Sequence, residues 1–586
     1  MTITKNGTLE NGSSNSITLK ASSTETRTLE KLINQGFIKG DIGIENNNGF
    51  QGTISIENFS NEGTIKGKVG MQVNKDQNTG TIIVNTFHNK SGGTIDGRVY
   101  YGWSKNGTIS VENFNNEGII TNNNNNNENI AVNFEKINAT IKTFSNSGTI
   151  KSEHGQGVYF EGNVHVGTFE NKSGGTIESK GGQKSIILVG TNSSTPTLEN
   201  FINEGFIKGE IGIGGTSGFN GTITVKTFEN KKTIDGYIFM PTGTLNKGTI
   251  SIEKFTNEGT ITSKDQDYPA VYFQGNNVHI KTFENTGFIS GRGDNLIHFQ
   301  HKNFNVSGGV SMAGGTIETF KNSGTIQSTG ANHNPAGVKL NFVTVNTFEN
   351  TGFISGTIGV LATQGTIETF KNSGTIEATG KDGGEAAIQI RSAFKNSSSI
   401  THFTNEGIIK SKSHGVLIES GDKIETLTNK GTIETELNGI GFYNYTGSEE
   451  THLGKIILES GSSIKAGNNG IDIDNQITAR SIRVDGIEVQ EGASVSGDEA
   501  GIYLGKDKEI TAPITISGTV SGGNAGIVNE GRMAKGITHE GEGDLVILSR
   551  GLVGKDDKGN TVTNNSGSVT IKEWLVTTNE EGKLDT

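Results

Sequence analysis

Few residues of this chain combine the type and the spacing that chemistry needs. His298 and His301 in LIHFQHK are the closest histidine pair. A three-residue step along a strand turns such a pair to opposite faces, so they make a poor metal site. Asp472 and Asp474 in GIDIDN share a face, where two carboxylates could polarise a glycosidic bond or simply line a solvated rim. Arg292, Gly293 and Asp294 in ISGRGDNL would offer a partner one cation and one anion on a glycine turn. The same place in other repeats reads IKGDI at 38–42 and ISGTI at 354–358, so ordinary turn wording explains the tripeptide equally well. No G-D-S-G or G-x-S-x-G nucleophile motif, P-loop, dinucleotide fingerprint or calcium-binding nonapeptide repeat is present. With no Cys, disulfides, thiolate metal sites and Cys nucleophiles are excluded. The reading is of a non-enzyme with no cofactor and no metal.

The elements that would position any such group come from repetition. The unit is F-x-N-x-G-x-I, beginning at Phe59, Phe114, Phe144, Phe201, Phe255, Phe283, Phe320, Phe348, Phe370 and Phe403. Leu32 and Leu427 open copies with Leu in the Phe place, Phe87 and Phe169 open copies with one inserted residue, and Phe228 and Phe394 open degenerate ones. Most copies lie about 22–30 residues apart, the length of a solenoid coil. Between them stand alternating β-branched runs such as TISIE at 53–57 and TITVK at 222–226, which read as short strands bounded by Gly and Asn. No segment carries a capped helical period. Stacked coils of two or three strands each give an all-β parallel β-helix, a solenoid rod of some twenty coils and on the order of 100 Å.

In that stack Phe and Ile point inward, over their equivalents one coil away. Gly is expected to supply a positive φ at the corner, and Asn to tolerate the same region. The Asn amides are expected to bond to their twins as a structural ladder: Asn61, Asn116, Asn146, Asn203, Asn257, Asn285, Asn322, Asn350, Asn372 and Asn405. Three segments follow: 1–445 with this unit, 446–541 with a second unit (IILESGSSIKAGNNGIDI, VQEGASVSGDEAGIYL, ITISGTVSGGNAGIVN), and 542–586, the start of an incomplete cap-like segment with Trp574.

Formal charge is −12, with the basic residues dispersed, which argues against nucleic acid as a partner. There is no run of about 18 apolar residues to span a membrane as a helix, and no signal peptide at the start. The absence of Cys suits a chain that crosses an oxidising compartment, so an export signal upstream of Met1 is expected.

These coils resemble the passenger region of a Gram-negative autotransporter, a type V secreted β-helix. The likeness rests on the F-x-N-x-G-x-I coils, the later G-[ST]-[IV]-x-[AG]-G-x-x-x-G-I coils and the lack of Cys. The closing GSVTIKEWLVTTNEEGKLDT is similar to the region before the last coils and barrel of vacuolating-cytotoxin-like members. The resemblance implies a right-handed helix, an outer-membrane barrel beyond this sequence, and a place on the bacterial surface or in the medium. It also implies an adhesin, binding a host-cell receptor or glycan, or sister rods. Arg292-Gly293-Asp294 then resembles the integrin-binding tripeptide of adhesive proteins. A cytotoxin-like passenger acting on host membranes is the main alternative, and a glycan-cleaving β-helix enzyme the third.

Overall fold

One coil takes three strands, for example Thr53–Asn61, Thr64–Lys66 and Val69–Gln72. In the first, Ile54 and Ile56 alternate inward, and Phe59, three residues further on, is buried as well. The next coil repeats this with Thr81–Asn89, paired in parallel so that Ile54 lies against Ile82 and Phe59 against Phe87. Such pairing continues coil upon coil in a computed structural model that is all-β, a parallel β-solenoid of about 18 turns. Among the described residues there is no helix. The structure describes all residues except 22–23, 47–49, 73–78, 103–105, 126–128, 181–183, 243–246, 294, 300–301, 307, 331–334, 393–396, 420, 444–449, 475–481, 576, 579–583 and 586, and the side chains of 12–14, 21, 45–46, 72, 136–137, 295–299, 302–306, 577–578 and 584–585.

The chain forms two compact units. The first comprises Met1–Asp265, Ala270–Ile289 and Phe299–Lys302, the second Gln266–Pro269, Ser290–His298 and Asn303–Thr586. In the first, one aromatic column runs Phe59, Phe87, Phe114, Phe144, Phe169, Phe201, Phe228, Phe255, Phe283, with centroids 4.4–5.2 Å apart and rings nearly parallel. In the second it runs Phe320, Phe348, Phe370, Phe403 and continues as Leu427 and Ile456. Phe228, from a degenerate copy, stands in the column, whereas Phe394 lies outside the described residues and the register passes from Phe370 to Phe403.

Two residues after each Phe, the Asn side chains are buried and bonded to one another. Nδ2 of Asn61 donates to Oδ1 of Asn89 at 2.7 Å, Asn89 to Asn116 at 2.8 Å, and Asn116 to Asn146 at 2.7 Å. The line goes on through Asn171, Asn203, Asn230 and Asn257 to Asn285. In the second unit Asn322, Asn350, Asn372, Asn405 and Asn429 are joined in the same way at 2.7–2.8 Å. The remaining capacity of Nδ2 goes to main-chain carbonyls: Asn116 reaches Gly118 O at 3.3 Å and Thr149 O at 3.2 Å. Each buried amide is thereby satisfied, which the interior requires.

The reason for the motif glycine differs from the expected one. The ladder Asn residues and glycines such as Gly63, Gly118, Gly148 and Gly374 do not occupy the left-handed region. What forbids a side chain is the coil beneath: a Cβ on Gly63 would stand 2.1 Å from Gly36 O, and one on Gly374 2.1 Å from Gly352 O. The corner therefore selects Gly for close backbone approach. In the copies with an insertion, the added Gly92 and Gly174 take a left-handed φ, both at 85°.

Candidate functional site

The residues singled out by sequence are scattered along the solenoid. All ten named ladder Asn are buried, and their amides face one another rather than a solute. Arg292 is half-buried, Gly293 is buried with φ 36°, and Asp294 lies outside the described residues. The side chains of His298 and His301 also lie outside them. Asp472 is half-buried and accepts a hydrogen bond from Asn438 Nδ2 at 2.5 Å. Among the described residues, no three His, Cys, Asp or Glu side chains stand close enough to hold a metal ion.

A polar groove of about 500 Å³ lies in the first unit, and unequal corner lengths build it. Four successive coils are in register at Ile177, Ile207, Ile234 and Ile261, and again at Ile186, Ile211, Ile238 and Val271. Between these anchors the first and fourth coils spend residues 178–185 and 262–270, and the middle two only 208–210 and 235–237. Long corners thus flank two short ones, and the short ones form a sunken floor of Gly209, Glu210, Gly236 and Tyr237. Ser179 and Lys180 line one side, Ser263, Lys264 and Asp265 the other. Glu210, 6% exposed, accepts the Tyr237 hydroxyl at 2.8 Å and pairs with Lys184 at 2.7 Å, fixing the tyrosine ring in the floor. Lys180 and Lys208 are held by Glu153 and Glu178 at 2.9 and 3.2 Å. Asp235 and Lys264 have no such partner among the described residues.

The second unit carries a different polar set. Strands Ala336–Asn341, Ile358–Thr363 and His414–Glu419 are buried on both faces. Here Glu419 accepts Gln389 Nε2 at 2.7 Å and lies 3.3 Å from Arg391 Nε, while Asp422 accepts the Ser398 amide at 2.6 Å. Burial pushes Glu419 up to about 7, against the pull of Arg391, and Asp422 up to about 8. At 1% and 0% exposure these carboxyls are enclosed, and their hydrogen bonds pin neighbouring coils to one another.

Comparison with protein-family models, curated proteins and solved structures finds no match. The groove residues Glu210, Asp235, Tyr237 and Lys264 escaped sequence reading, because each is ordinary corner wording in its own coil. The available signal was the contrast of IKGEIGI and IDGYIFM with IESKGGQKSIILV and ITSKDQDYPAVYF.

Proposed function

We propose that this chain is the passenger of a bacterial autotransporter, displayed on the cell surface or secreted, and that it acts as an adhesin toward host cells or sister copies. The observation that carries the reading is one outward column of the first unit: Phe37, Thr64, Thr94, Ile119, Thr149, Thr176, Phe206, Thr233, Thr260. Every third coil replaces threonine by an apolar residue, with Ile119 46% and Phe206 37% exposed. Coils stack at about 4.8 Å, so these anchors recur at roughly 14 Å on a polar field. Repeated weak anchors bind by number, and a partner with the same period, such as a second copy, engages several at once. The proposal involves no reaction, no cofactor and no nucleic acid, and it places an outer-membrane barrel elsewhere in the protein.

The test is attachment of the purified chain to epithelial cells, together with sedimentation to detect self-association. The double variant Ile119→Thr/Phe206→Thr, which restores the threonine column, should weaken attachment or association severalfold and leave folding intact. Absence of both in the unmodified chain refutes the adhesive reading. Arg292→Ala and Asp294→Ala test the tripeptide separately.

A further inference from the structure

We infer that the first unit binds a second copy of this chain, parallel and in register, through the face whose central column carries Phe37, Ile119 and Phe206. The inference rests on the adhesive reading for its setting and names the partner of that same surface.

Two further columns flank the central one. On one side stands the first residue of each corner, whose amide donates to the ladder carbonyl of the coil beneath. Glu62 N reaches Asn34 O in this way, Lys90 N reaches Asn61 O and Lys172 N reaches Asn146 O, at 2.7–2.9 Å. On the other side stands the outward residue two places beyond the centre, in register from Lys66 and Asp96 up to Lys208 and Asp235. Wherever a coil is charged on both sides, the two signs are opposite. Glu62 and Lys66 flank Thr64, and the next coil reverses them with Lys90 and Asp96 about Thr94. Lys172 and Glu178, Glu204 and Lys208, and Lys231 and Asp235 follow the same rule about Thr176, Phe206 and Thr233. The other coils between residues 35 and 262 carry a charge on one side alone.

Pairing within the chain explains why signs alternate along each column: Lys90 meets Glu62 at 2.6 Å, Lys231 meets Glu204 at 3.3 Å and Lys208 meets Glu178 at 3.2 Å. It does not explain the phase of one column against the other, because no ion pair among the described residues joins the two. The second unit repeats that phase independently. There Glu406 and Lys410 flank Ile408, which is 46% exposed, and Lys430 with Glu434 and Glu459 with Lys465 follow in the next coils.

A second copy turned about a twofold axis parallel to the stack gives this phase a use. Each coil then meets its own twin, the corner column of one copy lies against the strand column of the other, and every doubly charged coil finds opposite signs. Phe37, Ile119 and Phe206 meet their own twins at the same time. An antiparallel copy that keeps all three anchors matched must pivot at Ile119, and it sets Glu117 against Glu117 and Lys39 against Lys208. Exposed ion pairs contribute little each, so the charges choose orientation and register while the anchors supply attraction. The face of the first unit is roughly 40 Å by 13 Å, which buries on the order of 1,000 Å² over two copies. That is the lower edge of a specific interface, suited to copies crowded side by side.

The experiment is pulsed EPR on the full chain, whose lack of Cys allows single nitroxide labels on Thr64→Cys, Thr149→Cys and Thr233→Cys. A parallel pair gives one short separation at all three positions. An antiparallel pair pivoting at Ile119 adds roughly 38 Å along the stack at position 233. In sedimentation, Lys208→Glu, which sets a carboxylate against Glu204 of the other copy, should weaken association at least threefold. Glu204→Lys/Lys208→Glu restores opposite signs between copies without restoring the pairs to Lys231 and Glu178 within the chain, so it should recover to within twofold of the parent. Separations that diverge along the column, no effect of Lys208→Glu, no recovery in the double variant, or a chain that stays monomeric each overturn the inference. Attachment to epithelial cells by a monomeric chain removes this interface and keeps the adhesin. Parallel pairing without cell attachment keeps the interface and confines the adhesive reading to sister copies, and absence of both removes both.

Discussion

At Asn350 and at Val489 the chain turns the same corner over different interiors. Ser373 N and Gly374 N donate to Asn350 O at 2.8 and 3.0 Å, and Ser517 N and Gly518 N donate to Val489 O at 2.7 and 3.0 Å. The main chain is closed identically in both, yet one column is made of amides and the other of Leu458, Val489 and Ile516. The asparagine is thus not what makes the turn. Its amide adds bonds between coils, and those bonds need a twin above and below. A column gains little from a lone Asn, which is why it is amide in run after run and then aliphatic. At the boundary, Asn429 is satisfied by Gly431 O and Ser463 O at 3.1 and 3.3 Å. The amide corner restarts in another column, where Asn529 donates to Ser549 Oγ at 2.9 Å and its carbonyl takes Arg550 N and Gly551 N.

If the main-chain corner is common to both regions, its glycine must matter equally in each. A Cβ at Gly374 would stand 2.1 Å from Gly352 O, and one at Gly518 2.3 Å from Ala493 O. Gly374→Ala and Gly518→Ala should each cost about 3 kcal/mol or more in denaturant unfolding. A harmless Gly518→Ala would break the equivalence.

The next effect concerns the enclosed carboxyls that the amide region carries. Glu419, pushed up to about 7 from 4.5, stays protonated in the folded chain where the unfolded chain ionises. Its stabilising contribution is complete below pH 4.5 and is lost as pH rises through about 7, a change on the order of 2–3 kcal/mol. His414, buried and pushed down to about 4 from 6.5, runs the other way: its contribution is present above pH 6.5 and lost as pH falls through about 4. Glu419→Gln isolates the acid. The variant's melting temperature should change less than the parent's between pH 5 and 8, and parallel curves would show that Glu419 ionises freely.

Asparagine itself gives the smallest effect and the sharpest test. Asn405→Leu removes the side-chain acceptor of Asn372 Nδ2 at 2.8 Å, leaving it only the longer contacts to Gly374 O and Ile408 O, and should cost roughly 1–3 kcal/mol. Asn405→Leu/Asn429→Leu, which moves the boundary down two coils, should cost less than the sum of the single changes, because the bond between them is counted twice. Strict additivity in thermal melts would mean that the amides act singly.

How much of this could be read from the chain differs by feature. Phe and Asn at constant offsets, with β-branched alternation between, revealed the coil and its two columns, because stacking places like on like. The role of Gly63 was not legible: a motif shows that glycine is needed, but only the carbonyl of Gly36 shows that the need is space. Asn89, Asn171 and Asn230 belong to the ladder although their copies carry insertions or lack the glycine, since the register is set by strands rather than by corner length. Nothing in VLIESGD sets Glu419 and Asp422 apart from other acidic residues of the chain, and only the structure shows them enclosed. The groove was least accessible, being a difference between neighbours that no single coil contains.

Those unequal corners have a consequence for how the chain finds its fold. Each coil offers the next the same row of donors, acceptors, rings and amides, and TFENTGFISG stands at both 282–291 and 347–356. A coil edge that matches every other edge permits slippage: the wrong partner docks nearly as well as the right one, and the landscape acquires near-degenerate traps. Corners such as 178–185 and 262–270, the inserted Gly92 and Gly174, and the Arg391–Glu419 pair each occur in few coils. They act as fiducial marks along an otherwise repeating strip, making a misaligned stack collide or leave a charge unpaired, so that irregularity enforces the order in which the coils are laid.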